Sequence, residues 1–138
     1  MSTVLIDSNV ILDAIFVSSP WNAWSSRHLE TLARQTRLVI NPIIFAEVSV
    51  SFPLIEDAEA AMSVAYLERE QISFDAAFLA GKAFLAYRRR GGEKRSPLPD
   101  FFIGAHAAVA GYMLLTRDAS RYRTYFPRLA IVSPDTHP

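Results

Sequence analysis

Apolar residues along this chain fall into two alternating kinds of run. Val4-Leu5-Ile6, Leu38-Val39-Ile40, Tyr112 to Thr116 and Leu129 to Val132 are short and continuous, and polar or turn residues bound them. Such runs read as strands buried on both faces. Between them, apolar positions recur at helical spacing. Val10, Ile11, Ala14 and Ile15 follow the first strand, with Ser8 or Asn9 available as a cap. Ala23, Trp24, Leu29, Leu32 and Ala33 mark a helix over Trp21–Gln35, after the break at Ser18-Ser19-Pro20. Asn41-Pro42 stops the second strand and opens a short helix over Ile43–Val50, which Pro53 ends. A further helix is expected from Glu56 to Glu70, its acidic first turn favourable to the helix dipole. Gln71 to Phe74 reads as an edge strand. Asp75–Arg90 is helical up to Gly91-Gly92, and Lys94–Leu98 is a loop. Pro99 opens a helix carrying Asp100, Phe101, Ile103, Ala107 and Ala110, which ends at Gly111. A short turn or helix follows the fourth strand through Tyr122, and Ser133–Pro138 is a tail.

Strands alternating with helices predict an α/β domain of three layers, α/β/α, around a parallel sheet. Right-handed crossovers leave few topologies, and the order 3-2-1-4-5 is favoured. It sets strand 1 beside strand 4, so Asp7 and Asp118 end neighbouring strands at one edge. Ligands of open α/β sheets bind at that carboxyl edge.

Composition narrows this picture. With 138 residues the chain is one domain, 1–138, with a real core. Hydrophobic residues make up 51% and charged ones 20%, which excludes a disordered chain. Lys plus Arg and Asp plus Glu each number 14, so the formal net charge is zero. Any nucleic-acid contact must therefore be a local patch rather than a global basic field. The absence of cysteine excludes disulfides and thiolate metal sites. No signal-like leader precedes the first strand, and no segment is apolar enough to span a bilayer. A soluble cytoplasmic protein is expected.

Four acids converge on the predicted edge. Asp7 and Asp118 end strands. Glu47 lies one to two turns into the helix after strand 2, and Asp100 lies in the first turn of the helix before strand 4. Singly, an Asp after a strand is often a helix cap, and a helical Glu is usually solvated. Together they would repel one another, and burial would raise their pKa values unless a cation neutralised them. Mg²⁺ or Mn²⁺ suits such oxygen donors, and it can prepare water to attack a phosphodiester. Thr116 and Ser8 could place hydroxyls beside the metal.

Four ordered segments carry a family likeness: V-L-I-D-S-N at Val4–Asn9, F-A-E-V at Phe45–Val48, L-P-D-F-F-I-G-A-H-A at Leu98–Ala107, and L-L-T-R-D with a following R-Y at Leu114–Tyr122. The chain resembles a PIN domain over essentially its whole length, with the VapC-type toxin ribonucleases of bacterial toxin–antitoxin pairs as the nearest match. The resemblance implies a metal-dependent endoribonuclease whose acidic site is Asp7, Glu47, Asp100 and Asp118, with Thr116 at a position where the family often has a hydroxyl. Asp7, Asp100 and Asp118 are the expected metal ligands. It also implies a homodimer and an inhibitory VapB-type antitoxin. A PIN nuclease of RNA processing and a non-catalytic binding module are the alternatives.

Outside the acids, Arg88, Arg89 and Arg90 with Lys94 and Arg95 form the one concentrated basic run. They are candidates for RNA phosphate contact, although cations also simply suit a helix C-terminus. Arg117 and Arg121 flank Asp118 and could touch substrate, tune the acids or be solvated. Trp21 and Trp24, with Phe16 nearby, are either an antitoxin-docking surface or core. His28, His106 and His137 lack a zinc spacing. Asp13 and Asp75 are extra acids near turns and stay outside the site, with Asp13 the first to reconsider.

Overall fold

The computed structural model describes residues 2–63, 66–95 and 98–138. Its strands are β1 (Thr3–Ile6), β2 (Arg37–Ile40), β3 (Leu67–Arg69), β4 (Met113–Leu115) and β5 (Ile131–Val132). Its helices are α1 (Ser8–Ile15), α2 (Asn22–Gln35), α3 (Pro42–Ser49), α4 (Ile55–Met62), α5 (Phe74–Arg89), α6 (Pro99–Ala110) and α7 (Ser120–Tyr125). All five strands are parallel in the order β3-β2-β1-β4-β5, the topology that the sequence pattern favours.

The core lies where the continuous apolar runs meet. Val4, Leu5 and Ile6 are fully buried at the sheet's centre, with Leu5 aligned to Val39 on one side and Leu114 on the other. Right-handed crossovers send α1–α4 to one face and α5–α7 to the other. Accordingly α1 packs on α2 and α3, while α5, α6 and α7 pack on one another. Proline at the first helical position starts α3 and α6, and Gly111, with φ +73°, ends α6 in the left-handed region that glycine favours.

Three local expectations are corrected. The helix expected over Glu56–Glu70 ends at Met62, and residues 64–65 of that span lie outside the described residues, as do 96–97 of the expected loop Lys94–Leu98. The edge strand is Leu67–Arg69 rather than Gln71–Phe74, and Phe74 instead begins α5. Leu67-Glu68-Arg69 reads as helix because Leu, Glu and Arg are good helix formers. Pairing to Leu38–Ile40 overrides that propensity, and charges on an exposed edge discourage further strand addition. The third correction concerns the last residues, which are not a loose tail. The Trp24 indole donates to the His137 carbonyl at 2.8 Å, and Arg123 pairs with Asp135.

Candidate active site at the carboxyl edge

Three strand ends build the site. The chain leaves β1 at Asp7, β2 at Asn41 and β4 at Thr116. The Asp7 N–H donates to the Leu115 carbonyl, which locks the first and third of these ends together. Asp7 itself, not Ser8 or Asn9, caps α1: its Oδ1 accepts the Ser8 N–H at 2.8 Å. The side chain is only 4% exposed. Its other oxygen, Oδ2, accepts from the Thr116 hydroxyl at 2.8 Å and the Tyr122 hydroxyl at 2.9 Å. Asp7 is thus both the cap that an Asp after a strand often is and the buried centre of the acidic site.

The other acids approach through hydroxyl groups. Tyr122 Oη lies 3.3 Å from Asp100 Oδ1, so one phenol oxygen stands between two carboxylates. The Ser8 hydroxyl donates to Glu47 Oε1 at 2.8 Å. The outer oxygen of Asp100 takes a half-exposed contact from Arg121 at 3.3 Å. Asp118 lies at the same edge but is exposed, and its Oδ1 accepts from the N–H and hydroxyl of Ser120 in the first turn of α7. The structure therefore brings Asp7, Asp100 and Glu47 together and turns the Asp118 carboxylate toward α7.

Burial dominates the electrostatics. It pushes the Asp7 carboxyl from its ordinary 3.8 up to about 6, against the stabilising Thr116 and Tyr122 hydrogen bonds, with Asp100 and Glu47 adding like-charge repulsion. Glu47 is raised as well, first by burial, against the Ser8 hydrogen bond, and then by Asp100. Burial and the same acids drive the Tyr122 phenol well above its usual range, so it stays a donor.

Thr116, fully buried, is the hub of the β4 turn. Its oxygen accepts from the Asp118 N–H at 3.2 Å and from the Asn9 amide at 3.3 Å. Asn9 in turn accepts the Arg117 N–H at 3.1 Å. The Arg117 guanidinium is held by Asp13, whose buried carboxylate also accepts from Ser19 and Ser25. Asp13 thus fastens the turn that carries Thr116. Its partners are spread from Ser19 to Arg117, so no local motif announces it. Tyr122 was also missed as a site residue. Its ring is core and only its hydroxyl enters the cleft; the one sequence signal is its place in the R-Y pair after Asp118.

The remaining candidates separate. Arg88, Arg89 and Arg90 end α5, and Arg88 donates to the Lys94 carbonyl at 2.7 Å, drawing the run together. The Tyr87 ring lies 5.6 Å from the Phe101 ring, which places this run near the N-terminus of α6 and Asp100. Lys94 and Arg95 are exposed there. Trp24 is core, packed against His28, whereas Trp21 remains partly exposed, as does Phe16, stacked on Phe52. His106 is buried between Asn41 and Glu70 rather than at the acids.

The donor set fits a hard divalent cation. The groups that Asp7, Asp100, Glu47, Ser8 and Tyr122 bring together are carboxylate and hydroxyl oxygens, and Mg²⁺ commonly binds through one or two carboxylates while keeping waters. Among the described residues, no three His, Cys, Asp or Glu side chains stand together so as to hold a metal ion between them. The pair spanned by Tyr122, Asp7 and Asp100, is the open arrangement such a cation would use.

Fold and site together define an α/β/α domain with crowded carboxylates at the carboxyl edge of its parallel sheet. The PIN domain family model matches residues 4–127, and the chain belongs to that family. Solved structures share the fold. VapBC2 from Rickettsia felis, bound to a DNA fragment of its promoter, is 19% identical with a TM-score of 0.73, covering 95% of this chain and 98% of its own. DNA-bound VapBC from Salmonella typhimurium is 20% identical with a TM-score of 0.71, covering 96% and 98%. VapC20 of Mycobacterium tuberculosis, a toxin that cleaves the sarcin-ricin loop, is 12% identical with a TM-score of 0.63, covering 88% and 94%. No curated protein matches in the corresponding sequence search.

Proposed function

We propose that this protein is a metal-dependent endoribonuclease and the toxin of a VapBC-type pair, acting in the cytoplasm. The observation that carries the reading is Asp7: a buried carboxylate facing Asp100 and Glu47 whose hydrogen-bond partners, among the described residues, are hydroxyls and one backbone N–H but no cation. Family membership and the likeness to VapBC structures support it. Asp7 and Asp100 would hold Mg²⁺ or Mn²⁺ directly, with Asp118 reaching it through water. Such a cation supplies Lewis acidity, neutralising phosphate charge and making water a better nucleophile. Glu47 orients the attacking water. Water oxygen bonds to phosphorus as the bond to the 3′-oxygen breaks, leaving a 5′-phosphate and a 3′-hydroxyl that takes up a proton. Arg88, Arg89, Arg90, Lys94 and Arg95 hold flanking phosphates. Arg117, fastened to Asp13, serves the turn instead.

Two surfaces fit partners. Trp21, 38% exposed, and Phe16, 40% exposed and stacked on the partly buried Phe52, are the aromatic residues on which we place the VapB-type antitoxin. A second copy of the chain fits α5. Phe74, Phe78, Gly81 and Leu85 follow at intervals of four, three and four, the seam spacing of paired helices. Phe74 is 94% and Phe78 67% exposed, and a Cβ at Gly81 would meet nothing within 4 Å.

The test is cleavage of total bacterial RNA by the purified protein with Mg²⁺ or Mn²⁺, with chelator, and beside Asp7→Asn. Discrete metal-dependent fragments, absent with the variant, are expected. Equal cleavage by the variant, or none by folded, partner-free protein, would overturn the assignment.

A further inference from the structure

We infer that Tyr122 is a positioning residue of the acidic site: its hydroxyl sets the relative orientation of Asp7 and Asp100 and so prepares them to take a divalent cation. The inference rests on the metal-site reading above and adds a residue to it. The Tyr122 ring is 1% exposed, so packing rather than solvent decides where its oxygen sits. That oxygen is 2.9 Å from Asp7 Oδ2 and 3.3 Å from Asp100 Oδ1. Asp7 comes from the end of β1 and Asp100 from the first turn of α6, two separate elements of one core. The hydroxyl has one proton, so Asp7 receives the short bond and Asp100 is the second acceptor within reach.

The placement of α7 makes this arrangement reproducible. Asp118 accepts from the N–H and hydroxyl of Ser120 and so anchors the turn that starts α7, two residues before Tyr122. At the other end the Tyr125 ring packs edge-on against Phe101 at 5.2 Å, one residue beyond Asp100. Helix α7 is thus tied to Asp118 at its start and to the Asp100 helix near its end. Tyr122, between them, reaches the space the two carboxylates share. Asp118 then affects the site also by holding the helix that carries Tyr122, which accounts for a carboxylate turned away from its fellow acids.

Hydrogen-bond partners that orient metal-binding carboxylates are costly to lose, typically 10–100-fold in metal affinity. Tyr122→Phe removes the hydroxyl and keeps the buried ring. Tyr125→Phe, on the same helix but with no hydrogen bond from its hydroxyl to either acid, is the control. Mn²⁺ affinity would be measured by calorimetry for all three proteins, beside near-ultraviolet tyrosine difference spectra during the titration. The wild type is expected to show a tyrosine signal with the same midpoint as binding. Tyr122→Phe should lose that signal and bind about 10–100-fold more weakly, while unfolding as cooperatively as the wild type. Tyr125→Phe should bind as the wild type does. A Tyr122→Phe affinity within about twofold of wild type would overturn the role of the hydroxyl and leave the metal site standing. A wild type that binds neither Mn²⁺ nor Mg²⁺ at millimolar concentration would overturn both.

Discussion

Replacing Asp7 by Asn should make the protein more stable at neutral pH while abolishing cleavage. The raised carboxyl of Asp7 is a stability statement. Between about pH 4 and 6 the native state keeps a proton that the unfolded chain has released, so wild-type stability falls as pH rises through that window. A change from 3.8 to about 6 corresponds to roughly 3 kcal/mol, fully expressed above pH 7. The side chain is buried, so solvent screening does not dilute this figure. Against it stands the charge-assisted part of the bonds from Ser8, Thr116 and Tyr122, of which an amide keeps most once the hydroxyls rotate. That loss is about 1–1.5 kcal/mol. The net expectation is a gain of about 1–2 kcal/mol at pH 8, or roughly 3–8 °C in Tm.

The assay is urea unfolding of both proteins at pH 4 and pH 8 in chelator. At pH 4 the wild-type carboxyl is largely protonated in the native state, so the advantage should vanish or reverse. Glu47, raised in the same direction, is present in both proteins and enters the difference only through its repulsion of Asp7. Adding Mn²⁺ at a hundred times its Kd should then stabilise the wild type by about 2.7 kcal/mol and leave the variant nearly unchanged. A variant less stable than wild type at pH 8, or a difference that stays constant between pH 4 and pH 8, would refute the reasoning.

Three further expectations follow from the packing. Asn41→Ala removes the cap that accepts the Ile44 N–H at 2.9 Å and strands His106 Nδ1, which lies 2.9 Å from the Asn41 amide. The loss should be about 2–3 kcal/mol by urea unfolding, and a loss below about 0.5 kcal/mol would show that neither bond matters. Gly104→Ala places a methyl against the buried Phe126 ring, so overpacking should outweigh the helix-propensity gain by about 1 kcal/mol. A raised Tm would contradict that. Phe78→Lys should convert a dimer to a monomer in sedimentation velocity without loss of helix, and an unchanged dimer would remove α5 from the interface.

How far the sequence could be read depended on what each segment does. β1, β2 and β4 stood out because strands buried on both faces read as unbroken apolar runs. Their order followed from crossover handedness, so the edge carrying Asp7 and Thr116 was predictable. β3 was not, because Leu67-Glu68-Arg69 lies at the edge with Glu68 and Arg69 exposed, and its partner β2 rather than its own pattern makes it a strand. Residues 133–138 read as a tail because the anchor of His137, Trp24, lies 113 residues away and the Arg123–Asp135 pair leaves no periodic signal. Within the site, strand ends and helix starts betrayed the acids, yet nothing in spacing said that Asp118 would turn to Ser120. A tyrosine at an apolar helical position reads as core, and Tyr122 is core in all but its last atom.

Asp7 and Asp13 together contrast a buried acid without a cationic partner with one that has such a partner, among the described residues. Both sit on α1 or its cap, six residues apart, and both are 4% exposed. Asp13 has the partners a buried charge needs: the Arg117 guanidinium at 2.8 Å and the hydroxyls of Ser19 and Ser25. Asp7 has hydroxyls and one N–H, and its charged neighbours within electrostatic reach are acids. Arg121 reaches only the outer oxygen of Asp100. A domain selected for folding alone would gain by putting a cation or an apolar residue at Asp7, because an uncompensated buried charge costs several kcal/mol. Keeping a carboxylate there, with its orientation fixed by Thr116 and Tyr122, makes sense if compensation arrives from outside the chain. That is why a stabilised but inactive Asp7→Asn and a weakly binding Tyr122→Phe should be found together: one variant removes the repulsion, the other the geometry that turns it into affinity.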